Sequence, residues 1–290
     1  MDLSVFAIIG LPVVVSLLAV RWVYFKILKI AKEKNLVDNP DARKLQKVPV
    51  PVVGGLAVFF GLLFGLLCGI TMMNLFAGDI GMFSGIVSQN RLLPIVLGMS
   101  IMLYVGCMDD IMGLSLKARF LIEILVILGL IYSSGISVDS LHGLWDIDDI
   151  PSVVAVPLTI FAGVGIINAI NMVDGVNGLS SGLCITCSML FGLQFFCIGD
   201  YVNAVLAFSI ASSLFLFFIH NVFGNQSRMF IGDAGTMVMG VLMTWFVMCS
   251  MHDAGRGMIL DYAYCPTAMV VAILSVPVAD TLRVMTMRVF

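Results

Sequence analysis

Apolar runs recur along this chain at about 3–24, 52–74, 92–108, 118–134, 152–169, 178–198, 202–220, 235–251 and 267–284. Each is close to the ~18–20 residues an α-helix needs to cross a hydrocarbon core about 30 Å thick. Few other features restrict a fold so strongly. In lipid every backbone N–H and C=O must find its partner inside the protein, and a helix satisfies them within itself. Composition agrees, with 60% hydrophobic and 11% charged residues and a mean hydropathy of +1.09. The expected fold is all-α, a polytopic membrane bundle of about nine transmembrane helices in one domain over 1–290. There is no internal repeat, low-complexity tract or soluble domain. No Lys or Arg precedes the first run, so it reads as a retained span and not as a cleaved signal. Cys184 and Cys187 form a C-x-x-C pair, but inside a span and without a nearby His, so they read as small apolar residues.

Lys and Arg orient the bundle. Eight follow the first span: Arg21, Lys26, Lys29, Lys32, Lys34, Arg43, Lys44 and Lys47. If that loop is cytoplasmic, Lys117, Arg119, Arg228, Arg283 and Arg288 share its side, and only Arg91 and Arg256 lie opposite. This asymmetry places the N-terminus outside the cytoplasm. The acidic loop at 138–151, with Asp139, Asp146, Asp148 and Asp149, then falls outside and reads as a solvated loop.

Three polar clusters fall at the cytoplasmic side: "MDD" (108–110), "NAINMVDGVNG" (168–178) and "MFIGDAGT" (229–236). Asn and Asp are costly at a membrane and need a partner or a task. Asn168, Asn171 and Asp174 recur every three residues, so on a helix they spread over one side near its end. Gly175 and Gly178 allow a turn and close approach of a ligand. Asp233 lies between Gly232 and Gly235, just before the eighth span. Taken singly, each cluster is an ordinary helix cap or turn. Taken together, three membrane-edge sets of carboxylate and amide oxygens beside Lys117, Arg119 and Arg228 suit Mg²⁺ and a phosphate compound.

"MDDIMGLSLKARF", "NAINMVDGVNGLSSG" and "MFIGDAGTMVMG" resemble the three central motifs of the polyprenyl-phosphate N-acetylhexosamine-1-phosphate transferases, glycosyltransferase family 4. "DNPDARKLQKVPVPVVGGLAVF" (38–59) resembles that family's first cytoplasmic loop and second span. The likeness is greatest to the bacterial branch that begins O-antigen, enterobacterial common antigen or teichoic acid assembly. It implies transfer of GlcNAc-1-phosphate from UDP-GlcNAc to undecaprenyl phosphate, with release of UMP, at the bacterial inner membrane. Mg²⁺ is the implied cofactor, with Mn²⁺ as the alternative. A homodimer is left open and no nucleic acid is implied.

By the same resemblance, Asn171 and Asp233 would ligate the metal. Asp109 and Asp110 would lie at the acceptor phosphate or help place the metal, and these two with Asp174 form the catalytic set. Lys117 and Arg119 would neutralise the diphosphate, and Asn177 and Phe230 would hold the uracil. Asn168 and Asp174 would support the metal loop, and Arg43 and Lys44 match a basic pair of the first loop. The chain departs from the pattern in three places. Asn177 stands where many bacterial members have Asp, and Gln46 where the family often has His. The sequence also ends at Phe290, before the expected position of the family's cytoplasmic His-x-His motif and last span or spans.

Three other functions stay in view. A muramoyl-pentapeptide transferase has the same ancestry, although its usual Thr-Pro-Thr-Met-Gly-Gly run is replaced here by "PVPVVGG". A secondary transporter also breaks helices with polar residues and Gly, but its site lies near the bilayer midplane. The third is a scaffold that has lost activity. Glu123, the one deep acidic candidate, lies four residues after Arg119 and is expected to pair with it.

Overall fold

The computed structural model describes residues 3–38, 49–76, 89–147, 149–174, 176–224, 227–252 and 266–289. Among them are nine α-helices: α1 (Leu3–Glu33), α2 (Gly54–Phe76), α3 (Gln89–Met112), α4 (Leu116–Ser134), α5 (Ser152–Val173), α6 (Leu179–Cys197), α7 (Tyr201–Phe223), α8 (Gly232–His252) and α9 (Pro266–Val289). Two short strands, β1 (Val37–Asp38) and β2 (Val50–Pro51), pair antiparallel between α1 and α2. Eight helices are long and apolar enough to cross a membrane. The remaining one, α4, carries Lys117, Arg119 and Glu123 in its first turns. The protein is a multi-pass helical membrane protein.

Helix ends differ from the expected spans. α1 continues past residue 24 to Glu33, because Val20, Tyr24, Leu28 and Ala31 keep one buried stripe at helical spacing. It stops at Asn35, which takes a left-handed φ of 55°. α3 and α5 run to Met112 and Val173, so Asp109, Asp110, Asn168 and Asn171 are helical residues. α8 starts at Gly232, so Asp233 sits inside its first turn and not before the span.

α8 is the axis of the bundle. Every residue from Ala234 to Met251 is buried, with α2, α3 and α5 packed around it and α6 and α9 touching it. The other helices expose Leu, Phe and Ile to the surroundings, as a lipid-facing surface does. Lipid tails are as apolar as Leu, so association depends on close backbone approach through small residues. α3 meets α8 at Gly106, where an added Cβ would fall on the Ala234 backbone. α5 meets it at Gly240, where a Cβ would lie 2.6 Å from Ile167 Cα. Gly55 of α2 abuts Gly235 in the same manner.

Gly106→Ala is therefore expected to force α3 away from α8 and to cost about 1–3 kcal/mol of stability. Gly129→Ala is the control, since nothing lies within 4 Å of the added methyl group; it should be neutral or stabilising by up to about 1 kcal/mol. Thermal unfolding of the two variants in detergent checks the contrast, and equal midpoints would contradict this packing.

Candidate active site

The polar motifs converge at one end of the bundle, around the first turn of α8. A helix start leaves N–H groups that need acceptors. The residues before Asp233 are Ile231 and Gly232, and neither has a side chain that can cap. The cap comes from α3: the Asp110 carboxylate accepts from Asp233 N at 2.9 Å and from Ala234 N at 3.2 Å. A carboxylate there also faces the positive end of the helix dipole. Gly232 makes this possible. Its φ is +72°, and a Cβ would lie 2.6 Å from Asp110 Oδ2. The preceding loop is held by a short ladder to the α2 entrance: Phe230 N donates to Pro51 O at 2.8 Å, Gly54 N to Phe230 O at 2.9 Å, and Gly55 N to Ile231 O at 2.8 Å. The "PVVGG" and "MFIGDAG" runs are thus one structural unit.

Asp109, next along α3, turns elsewhere. Its Oδ1 accepts from Leu114 N at 2.7 Å and so fixes the α3–α4 turn, while Oδ2 accepts from Arg119 Nη1 at 3.3 Å. Its carboxylate also faces that of Asp233. From α5, Asn171 Nδ2 donates to Asp233 Oδ1 at 2.6 Å and to Thr236 Oγ1 at 2.8 Å. Asp174 follows α5 and accepts a hydrogen bond from the Ser180 hydroxyl at the start of α6. Burial raises the Asp174 carboxyl to about 7; donation from Ser180 opposes the rise, and the Asp233 charge adds to it. Asp109, Asp110, Asp174 and Asp233 therefore make one acidic cluster drawn from two helix ends and a turn.

Asn168 goes a different way. Its Nδ2 donates to Glu123 Oε2 at 2.6 Å and to Val164 O at 2.9 Å, and its Oδ1 accepts from Arg119 Nη2 at 3.3 Å. Arg119 is 9% exposed and its Nε donates to Glu123 Oε1 at 3.2 Å, as the spacing of four suggested. Asn168 and Arg119 thus share a network between α3, α4 and α5 that reaches the site at Asp109. Lys117 and Asn177 are exposed at the same end, and Phe230 is half-buried. Arg43 and Lys44 lie outside the described residues. Thr236 and Ser180, both buried, are site residues that spacing alone did not single out.

Among the described residues no three His, Cys, Asp or Glu side chains gather as a cation cage. Mg²⁺ does not require one, since it usually keeps several waters and takes one or two protein oxygens. The donor set fits such an ion. Asp233 offers a hard carboxylate, and Asn171 meets it through Nδ2, so the Asn171 oxygen joins the donor set only when the amide turns over; the facing Asp109 and Asp233 carboxylates repel unless a cation or proton lies between them.

The raised Asp174 carboxyl gives a pH test. The folded form holds this proton up to about pH 7, whereas an unfolded aspartate releases it near pH 4. Folded protein therefore binds more protons across that window, and stability falls as pH rises from about 4 to 7 and then levels. In metal-free buffer, Asp174→Asn should remove that slope and stabilise the chain at pH 7.5 more than at pH 4.5. Unfolding midpoints at the two pH values check the sign.

The sequence is similar to known proteins over the same segments. The profile of glycosyl transferase family 4 covers residues 92–251, which include all four site carboxylates. The chain is 29% identical over 270 residues to a probable undecaprenyl-phosphate N-acetylglucosaminyl 1-phosphate transferase of Bacillus subtilis (strain 168), covering 92% of this chain and 68% of that protein. It is 27% identical over 227 residues to the undecaprenyl-phosphate alpha-N-acetylglucosaminyl 1-phosphate transferase of Escherichia coli (strain K12), covering 76% of this chain and 56% of that one. A Yersinia pestis relative of the same name is 28% identical over 225 residues, covering 76% and 57%. The chain thus spans between about half and two thirds of the length of these relatives. With its profile match extending over more than half of the sequence, the chain belongs to glycosyl transferase family 4.

Proposed function

We propose that this protein transfers N-acetylglucosamine-1-phosphate, or a related N-acetylhexosamine-1-phosphate, from a UDP-sugar to undecaprenyl phosphate. UMP would be released and assembly of a cell-surface polymer begun. The observation that carries this reading is the Asp233–Asn171 pair inside a four-carboxylate cluster at the start of the buried α8. The names of the relatives support the acceptor and the sugar. The site would face the cytoplasm, a side that the positive-inside pattern supports, in a bacterial inner membrane.

In the proposed step an oxygen of the lipid phosphate attacks the β-phosphorus of the UDP-sugar. A new P–O bond forms, the bond to the UMP oxygen breaks, and UMP leaves with that electron pair. Asp233, together with the Asn171 carbonyl oxygen once that amide turns over, would hold Mg²⁺, which would supply charge compensation to the diphosphate and leaving group. The exposed Lys117 ammonium adds a mobile phosphate contact. Asp110 keeps Asp233 in place through the α8 N-terminus. A lipid phosphate is already ionised near neutral pH, so positioning and electrostatics matter more than a strong base. Asn177, exposed at the α5–α6 turn, and Phe230 are assigned to the uracil. A transporter fits less well, since the acidic cluster lies at one end of the helices and Glu123 is paired.

Two variants of the full-length protein test this assignment in membranes supplied with undecaprenyl phosphate. Asp233→Asn should lose nearly all UMP release and weaken the Mg²⁺ dependence; activity within about threefold of wild type would remove Asp233 from the metal site. Asn177→Ala loses one hydrogen bond worth about 0.5–1.5 kcal/mol, so KM for UDP-GlcNAc should rise about three- to tenfold while KM for the lipid hardly moves. An effect on the lipid alone would place the nucleotide elsewhere.

A further inference from the structure

Glu123 has no part in the chemistry just described, yet it is fully buried in α4, about 10 Å along that helix from its start at ~1.5 Å per residue. A buried carboxylate persists only where donors replace its lost water. Both of its oxygens are matched: Oε1 accepts from Arg119 Nε at 3.2 Å and Oε2 from Asn168 Nδ2 at 2.6 Å. The second Asn168 donor contact, to Val164 O, fixes which way the amide faces, so that Oδ1 is left for Arg119 Nη2. Glu123, Arg119 and Asn168 thus close a ring across α4 and α5. Among the described residues one contact of the guanidinium leaves the ring, Nη1 to Asp109 Oδ2 at 3.3 Å. Asp109 in turn faces Asp233.

Without the Glu123 charge the guanidinium would be drawn outward, toward the site carboxylates and any diphosphate beside them. A rigid fork held on three acceptors cannot make that move. We propose that Glu123 is a positioning residue of the transfer site: it holds Arg119 inward, so that Arg119 orients Asp109 against Asp233 and leaves the donor diphosphate to the metal and Lys117. This rests on the transferase reading.

A role confined to joining α3, α4 and α5 would lower stability and leave KM alone. A positioning role has another signature. Glu123→Gln keeps the shape and removes the charge, so the released guanidinium gains a contact to ground-state substrate. The expected result is a kcat at least tenfold lower together with an unchanged or lower KM for UDP-GlcNAc, as when a ground-state constraint is lost. The ring can also be rebuilt with its charge moved. In the double variant Glu123→Gln/Asn168→Asp, the amide at 123 donates to the carboxylate at 168, reversing the 2.6 Å hydrogen bond; the donation to Val164 O is given up as the side chain turns off that carbonyl, and Arg119 again has a buried anion beside it. That variant should recover kcat to within about threefold of wild type.

UMP release is measured in the full-length protein, with unfolding midpoints recorded for every variant. A wild-type protein that releases no UMP overturns the transferase reading and this inference with it. An active wild type with Glu123→Gln within twofold in kcat overturns the inference alone. So does a folded double variant no faster than Glu123→Gln. If Glu123→Gln does not fold, the double variant decides: near-wild-type kcat supports the role, and a folded but slow enzyme refutes it.

Discussion

The hydrogen bonds from the start of α8 to Asp110 set the geometry on which the rest of this end of the molecule depends. α8 is buried from Ala234 to Met251, and its first N–H groups need acceptors at the edge of that core. Its own chain offers Ile231 and Gly232 in place of a capping side chain. The acceptor has to come from a neighbour, and Asp110 of α3 provides it. Gly106, one turn earlier on α3, lets the two backbones come together. The same contact that closes the helix fixes Asp233 relative to α3. Asn171 then ties α5 to the same residue. A structural need, satisfying a helix start, thereby sets the position of the Asp233 carboxylate.

Charge accumulates around this point beyond what structure alone requires. Asp109, Asp110, Asp174 and Asp233 lie close enough to feel one another. Asp110 is offset by helix N–H groups and Asp109 by Arg119 and the Leu114 amide. Asp233 has an amide from Asn171, and Asp174 a hydroxyl from Ser180. Each neutral donor satisfies lone pairs without cancelling charge. The balance is negative at the membrane edge, a distribution that favours a divalent cation and, through it, a diphosphate.

The bundle was legible in the sequence because long apolar runs admit few alternatives. Helix ends were less so, for a physical reason. Apolar runs stop at the first polar side chain, whereas α3, α5 and α8 carry polar residues inward at their last or first turns, where neighbouring helices satisfy them. The motif residues were visible as polar groups in an apolar chain, but their partners were not. Asn168 and Asn171 are separated by three residues and so lie about 60° apart around α5. That is enough for one to meet Glu123 on α4 and the other Asp233 on α8. Spacing places both on one side of the helix; the packing of the two neighbours separates their tasks. Thr236 could have been suspected, since it lies one turn after Asp233 on the same helix face. Ser180 gives no such sign, because its contact with Asp174 depends on the turn between α5 and α6.

The division between Asn168 and Asn171 also explains why one short segment serves two purposes. A transfer between two phosphates calls for little acid–base chemistry and for strict placement of negative groups. Placement at a membrane edge is difficult, because helix ends fray and water competes for every polar contact. The inward half of the segment, with Asn168, is locked into a ring whose members lie beneath the surface. The outward half, from Asn171 to Asn177, extends from that anchored turn toward exposed chain. Groups proposed to meet substrate are thus carried on a helix end whose preceding turn is held by the Glu123–Arg119 pair. Rigidity comes from the low-dielectric side of the boundary and reactivity from the wet side, which is why the oxygen-bearing residues of α3, α5 and α8 lie within one or two turns of it.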